Sequence, residues 1–369
     1  MKAFFRKIHL WLSIPFGVII SVVCFSGAAL VYEKEIRAII HPSLYEVEKI
    51  TPERQLPSVL INNIKKQVPD SLVISSLQYS GSPEKTCAVT FSNVKGKIWY
   101  VDPYSGDVKG WQDDRNGFFP VMKKLHRWLM DDYKRGSDKL SIGKMTVGVS
   151  VLFLVVILVS GIVIWIPHTK KGLTNAFTIC CTRGWRRFWY DSHRTTGIYA
   201  ALLLLIMSLT GLTWSFGWYR NAFYCVFGAF ENKTKKEHVI GHGDKKRVGH
   251  ERHEEDFLLW DRTFGELEHH YQVYNYIKIT HDKVSVAPDV NSRIRKTDEV
   301  EIDRETGKIL RIIPYKDQSK TSKMKGWIYA IHTGLWGGPI IRFFSFCAAL
   351  IGGILPLTGY YLWLKKRRR

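Results

Sequence analysis

Residues 145–166 read MTVGVSVLFLVVILVSGIVIWI, without a single Asp, Glu, Lys or Arg. A helix crosses the hydrocarbon of a bilayer in about 20 residues, and a soluble helix of that length would show a polar face. This stretch shows none and is read as membrane-spanning. Leu10–Tyr32, Gly197–Trp218 and Ile341–Leu364 have the same character, with Arg342 the one charged side chain among them, at the edge of the last window. The first window is longer than a usual signal-peptide h-region and lacks a convincing A-x-A cleavage site, so it is read as an uncleaved helix.

Basic residues orient the four helices. Lys2, Arg6 and Lys7 precede the first; Lys170, Lys171, Arg183, Arg186 and Arg187 follow the second, against the single acid Asp191; Lys365, Lys366, Arg367, Arg368 and Arg369 end the chain. With four crossings these segments share one side, and their excess of Lys and Arg makes that side the cytoplasm. The net charge of +21 is then largely a topology signal beside anionic membrane lipid, and it calls for no nucleic acid. The six cysteines contain no CxxC pair and suggest no disulfide framework.

The resulting organisation is a first transmembrane helix in 1–33, an extracytoplasmic segment 34–117, an interfacial helix and second transmembrane helix in 118–166, and a basic cytoplasmic loop 167–192. A third transmembrane helix (193–218), a second extracytoplasmic segment (219–325), and an interfacial segment with the fourth helix and a basic tail (326–369) complete it. The fold class is an integral membrane all-α four-helix bundle with α+β modules in its two outer loops.

Each membrane window carries a small-residue pair late in its run: Ser26-Gly27, Ser160-Gly161, Thr210-Gly211 and Thr358-Gly359. Small residues let helices, or a flat cofactor, approach closely. His9 lies 18 residues before Gly27, and His193 lies 18 before Gly211. These two histidines fall at the cytoplasmic end, with His9 at the edge of its apolar run. His126, in LHRWL, and His332, in WIYAIHTG, precede the second and fourth helices on the outer side. Topology thus pairs His9 with His193 and His126 with His332. One imidazole from each of two helices is what bis-histidine ligation of haem b requires, so two haem b groups are expected, with the glycines leaving room for the porphyrin. Arg127, Arg194 and Arg342 stand near these histidines and suit the propionates. His168 is an alternative inner ligand. A lone interfacial histidine is ordinarily just an amphipathic residue; four, paired by topology, favour the haem reading.

The outer segments look alike. The first has an amphipathic helix around Leu56–Gln67, strand-like runs at Leu72–Tyr79, Thr86–Phe91 and Lys97–Val101, and the turn Asp102-Pro103-Tyr104-Ser105-Gly106-Asp107. The second repeats the strand, Asp, turn, Gly, strand theme at Val300–Leu310. It also holds His238, His242, His250, His253, His269, His270 and His281, whose spacings match no standard metal site and are read as solvated.

In order, the chain reads HLWL at His9, YVDPYSGDV at Tyr100, LHRWL at Leu125, SGIVIW at Ser160, DSHRTTG at Asp191, LTGLTW at Leu209, IHTGLWGG at Ile331 and LTGYYLW at Leu357. This resembles the PepSY-associated transmembrane family of bacterial inner-membrane proteins, with 219–281 departing most from the pattern. The resemblance, which extends to ferric-siderophore reductases of the ferrioxamine-reductase type, implies PepSY modules on the periplasmic side and axial ligation by His9, His126, His193 and His332. It implies that electrons pass through two haems to a ferric siderophore or other ferric chelate, docked near aromatic residues such as Trp128, Trp327 and Trp336. The donor would be a quinol or a cytoplasmic flavoprotein, since the chain has no G-x-G-x-x-G after a strand, no P-loop and no H-E-x-x-H. Two other classes compete: a haem-free, membrane-anchored regulator or sensor, and a transporter, for which polar or broken mid-membrane helices are expected.

Overall fold

The computed structural model describes residues 1–131, 141–167, 169, 173, 176–229, 255–281, 283–303 and 305–367. In chain order its helices are α1 (Lys2–Val31), α2 (Glu33–Ile40), α3 (Pro42–Tyr45), α4 (Pro57–Lys65), α5 (Phe118–Trp128), α6 (Ile142–Trp165), α7 (Trp185–Ser215), α8 (Gly217–Val226), α9 (Glu255–His270), α10 (Lys320–His332) and α11 (Gly338–Arg367). The strands are β1 (Ile74–Ser80), β2 (Cys87–Phe91), β3 (Lys97–Val101), β4 (Val108–Asp113), β5 (Tyr276–Thr280), β6 (Val284–Ala287), β7 (Asp298–Ile302) and β8 (Ile309–Ile313). They fall into two compact units. One is Met1–Glu33, Asn116–Val226 and Trp327–Arg369; the other is Lys34–Arg115 and Phe227–Gly326.

The first unit contains four helices long and apolar enough to cross a membrane, α1, α6, α7 and α11. Both α1 and α7 pack against α6 and against α11. Ile20, Cys24, Leu158, Leu204 and Ala348 meet inside. Hydroxyls are buried there too: Ser21, Ser26, Ser160, Thr210 and Thr358. Trp11, Val18, Val159, Leu202 and Phe343 face outward. An apolar exterior around small and hydroxylic contacts suits lipid, where the solvent gives apolar side chains no reason to turn inward. Ser21 Oγ, for example, donates to the Gly353 carbonyl across the α1–α11 contact at 2.8 Å. Proline lies inside two of these helices, Pro15 as well as Pro356. Helices α1 and α7 begin well before their apolar windows, at Lys2 and Trp185, so His9 and His193 sit within regular helix rather than at a frayed edge.

The second unit is one continuous antiparallel sheet in the order β4-β3-β2-β1-β5-β6-β7-β8. The two outer segments therefore do not make separate modules. Each supplies a four-stranded meander, and β1 pairs with β5 at the centre, Leu77 opposite Ile279 and Tyr79 opposite Ile277. Alternate residues of the strands (Leu77, Tyr79, Val89, Ile277, Ile279, Val286) share a core with Leu60, Ile61 and Ile64 of α4 and Phe257, Trp260, Phe264 and Leu267 of α9. The two turns read from the sequence match bond for bond. Asp102 N–H donates to the Asp107 carbonyl at 2.9 Å and Asp303 N–H to that of Lys308 at 2.9 Å. Gly106 and Gly307 take positive φ, +82° and +68°.

Candidate functional site

The histidines meet in the pairs that topology assigned, all within the first unit. The ring centres of His9 (α1) and His193 (α7) are 6.4 Å apart; those of His126 (α5) and His332 (α10) are 6.1 Å apart.

Each ring is anchored at Nδ1 on a neighbouring helix, and always on the same device. His9 Nδ1 lies 3.0 Å from the Ile157 carbonyl and 3.1 Å from Ser160 Oγ. His193 Nδ1 lies 2.8 Å from Thr358 Oγ1. His332 Nδ1 lies 2.9 Å from the Met207 carbonyl and 3.2 Å from Thr210 Oγ1. His126 Nδ1 lies 2.8 Å from the Val23 carbonyl. In every case the Ser or Thr hydroxyl donates to the carbonyl three residues before it: Ser26 to Val23, Ser160 to Ile157, Thr210 to Met207 and Thr358 to Leu355. Nδ1 thus carries the proton toward that carbonyl, and Nε2 has no hydrogen-bond partner among the described residues.

The glycine after each hydroxyl has a related task. A Cβ built on Gly27 would lie 2.8 Å from His126 Cε1; on Gly211, 3.2 Å from His332; on Gly161, 3.3 Å from His9; and on Gly359, 3.7 Å from His193. What a side chain at any of these glycines would meet first is an imidazole, so the room they leave admits the histidine rings. The Ser/Thr-Gly signature, read in the sequence as a spacing motif, is a histidine receptor.

The connections follow one rule. In the first half of the chain α1 gives His9 to α6 and receives His126; in the second half α7 gives His193 to α11 and receives His332. Each facing pair therefore takes one imidazole from each half. A cavity of about 130 Å³ opens beside His193, walled by Trp189, Ile351, Ile354 and Leu355. Trp214 packs edge-on against His332 with ring centres 5.1 Å apart, a contact with no counterpart motif in the sequence reading.

The three arginines are placed differently. Arg127 lies over the Trp128 ring at 5.3 Å. Arg194 faces the Asp191 carboxylate at 3.7 Å, and Arg187 donates to the same buried group at 2.7 Å. Asp191, read from sequence as a loop acid, is almost wholly buried in α7. Arg342 donates through Nε (3.1 Å) and a second guanidinium nitrogen to the Val31 carbonyl, and its guanidinium lies 4.6 Å from the centre of the Tyr32 ring. It thereby caps the C-terminal end of α1.

His168, His238, His242, His250 and His253 lie outside the described residues. His269 and His270 are exposed at the end of α9, and His281 packs against Phe257 and Trp260. Among the described residues, no cluster of three or more His, Cys, Asp or Glu side chains is gathered for a metal ion.

Residues 6–366 match the family described as the PepSY-associated TM region. The chain belongs to that family. The match to the PepSY-associated TM region spans all four membrane-length helices and the whole sheet, so the histidine pairs and the antiparallel domain lie in one family unit. No curated protein matches the chain.

Proposed function

We propose that this protein is a haem b-containing electron-transfer protein of the bacterial inner membrane, a four-helix bundle with both termini cytoplasmic, that reduces a ferric siderophore or another ferric chelate in the periplasm. The observation that carries the reading is the double occurrence of two facing imidazoles, each tethered at Nδ1 and unpartnered at Nε2. A metal about 2 Å from each ring nitrogen, itself roughly 1 Å from its ring centre, sets the centres about 6 Å apart. The pairs stand at 6.4 and 6.1 Å. Tethering the distal nitrogen fixes tautomer and ring orientation, as ligating histidines require.

His9 with His193, and His126 with His332, would hold two haem b groups. Haem supplies the one-electron chemistry that no protein side chain here offers. The chain's own contribution is to aim the four imidazoles and to wall the sites with apolar side chains such as Ile351, Ile354 and Leu355 beside His193. Arg127 and Arg194 remain suited to propionates. The basic loops support the cytoplasmic placement of the His9–His193 level. The groups held by His9 with His193 and by His126 with His332 would supply one-electron transfer between a quinol or a cytoplasmic flavoprotein and the ferric substrate. Reduced to Fe(II), that iron would be held less tightly by hard oxygen ligands and would be released.

The test is a reduced-minus-oxidised spectrum of the detergent-purified full-length protein with a pyridine-haem assay. Low-spin b-type bands at about two haems per chain are expected, with His→Ala at the four positions removing one haem or the other. A haem-free preparation from haem-supplied cells would overturn the proposal and leave a membrane-anchored regulatory or sensor protein.

A further inference from the structure

The cavity beside His193 has a place and a chemistry that the histidine pairs do not use. It lies between α7 and α11, and one wall is Thr358, whose hydroxyl holds Nδ1 of His193 at 2.8 Å. The cavity therefore borders the tethered flank of the imidazole, across the ring from the nitrogen proposed to bind the metal. Ile354 both lines it and is 44% exposed on the outside of α11. Lys365, the first charged residue after it, comes eleven positions later. At 1.5 Å per residue the opening is roughly 16 Å inside the membrane, near the middle of a hydrocarbon core about 30 Å thick. Toward the cytoplasmic end Trp189, another wall, meets the Tyr361 ring with centres 6.4 Å apart.

Size and polarity describe the occupant. The volume of about 130 Å³ is close to the roughly 150 Å³ at which an apolar cavity in a protein takes up one benzene ring. Ile351, Ile354 and Leu355 suit the faces of such a ring. Thr196 lines the cavity as well, and its hydroxyl donates to the Ser192 carbonyl at 2.7 Å, so the oxygen keeps lone pairs for an O–H from outside the chain. A six-membered ring that bears hydroxyls and travels in lipid is a quinol. We propose that the cavity seats a membrane quinol, which enters between α7 and α11 and gives up its electrons through His193. This rests on the haem reading above, and within it selects the donor, because a water-soluble flavoprotein has no path to an opening at that depth. Each quinol loses two electrons and two protons and becomes the quinone. The electrons reduce two ferric ions of the chelate to Fe(II), and the protons pass to water at the cytoplasmic end.

The experiment uses the full-length, haem-loaded protein in detergent, with duroquinol as the donor and an azidoquinone as a photolabel. Duroquinol should reduce the haem with saturating kinetics. The photolabel should map to the α7 and α11 residues that wall the cavity and be displaced by duroquinone. Ile354→Trp, which plugs the mouth from an exposed position, should abolish both the saturable reduction and the labelling, with haem content and reduction by dithionite unchanged. Thr196→Val should raise the half-saturating duroquinol concentration about fivefold at an unchanged maximal rate, the worth of one hydrogen bond, and Thr196→Ser should restore it. Labelling that duroquinone does not displace would make the cavity a groove for lipid chains only. Reduction by free dihydroflavin but not by duroquinol would give the donor's role to the cytoplasm. Either result overturns the proposal, as does a saturable rate that Ile354→Trp leaves unchanged. Absence of haem from the unaltered protein, visible in its spectrum before any donor is added, would instead overturn the reading beneath it.

Discussion

Gly27 and His126 touch: a methyl group at Gly27 would lie 2.8 Å from the imidazole Cε1. That is closer than non-bonded carbon atoms stand, and the ring is also tethered by its Nδ1 to the Val23 carbonyl. Gly27→Ala should therefore destabilise the protein by about 1–3 kcal/mol, as overpacking does. Gly359→Ala should be neutral or slightly stabilising, since its Cβ would meet His193 at an ordinary 3.7 Å while alanine is the better helix former. Gly211→Ala and Gly161→Ala fall between. Thermal melts of the four variants in detergent check the order, and equal effects at Gly27 and Gly359 would contradict it.

Arg342 separates two roles. The guanidinium bonds the Val31 carbonyl through two nitrogens and lies over Tyr32. Arg342→Ala should lower stability by about 1.5–3 kcal/mol, the range for hydrogen bonds to a charged group. Arg342→Lys should fail to restore it, because an ammonium lacks the planar fork. The absorption bands and haem content of the folded fraction should stay unchanged; a spectral change with normal stability would return Arg342 to the propionates.

Asp261 joins the halves of the sheet domain. It accepts from Ser58 N–H at 2.7 Å and from the Ser58 hydroxyl, so a side chain of α9 caps the first turn of α4. Asp261→Ala removes a helix cap and leaves an amide without its acceptor, a loss of about 1–2 kcal/mol. Hydrogen exchange should show faster exchange in the α4 amides than elsewhere in the unit, whereas uniform exchange would argue against a local cap.

The paired turns make an internal comparison. Gly106 and Gly307 both need positive φ, but a Cβ at Gly307 would also lie 2.7 Å from the Leu259 carbonyl oxygen, where Gly106 meets the Asn63 side chain. The nearest atom at Gly106 is the Asn63 Cβ at 2.7 Å, as fixed to its helix as the Leu259 carbonyl is. Both Ala variants should therefore destabilise the sheet by about 1–3 kcal/mol, to a similar extent, in chemical denaturation of the full chain.

Much of this was readable from residue order. The spacing of His9 from Gly27 and of His193 from Gly211 showed that α1 and α7 each bear a histidine at one level and a Ser/Thr-Gly pair at the other. Which histidine seats in which glycine depends on inter-helix packing, and that left Gly161 and Gly359 looking like space for a cofactor. In the sheet, Lys97–Val101 was visible as a strand with its turn. The pattern Phe257, Trp260, Phe264 and Leu267 has helical spacing, yet it follows a histidine-rich polar stretch and was passed over. The β1–β5 pairing left no trace, because strand edges join through backbone groups that every residue carries.

The pairing of one histidine from each half has a bearing on ancestry. Within the helical unit α1 and α7 each pack on α6 and α11, and within the sheet β1–β4 and β5–β8 are two meanders joined at the β1–β5 seam. That is the arrangement of an isologous homodimer. One linker, between α6 and α7, turns the dimer into a single polypeptide. Fusion frees the copies to diverge, so that Ser26 and Ser160 stand in one where Thr210 and Thr358 stand in the other, a difference that a true homodimer could not carry.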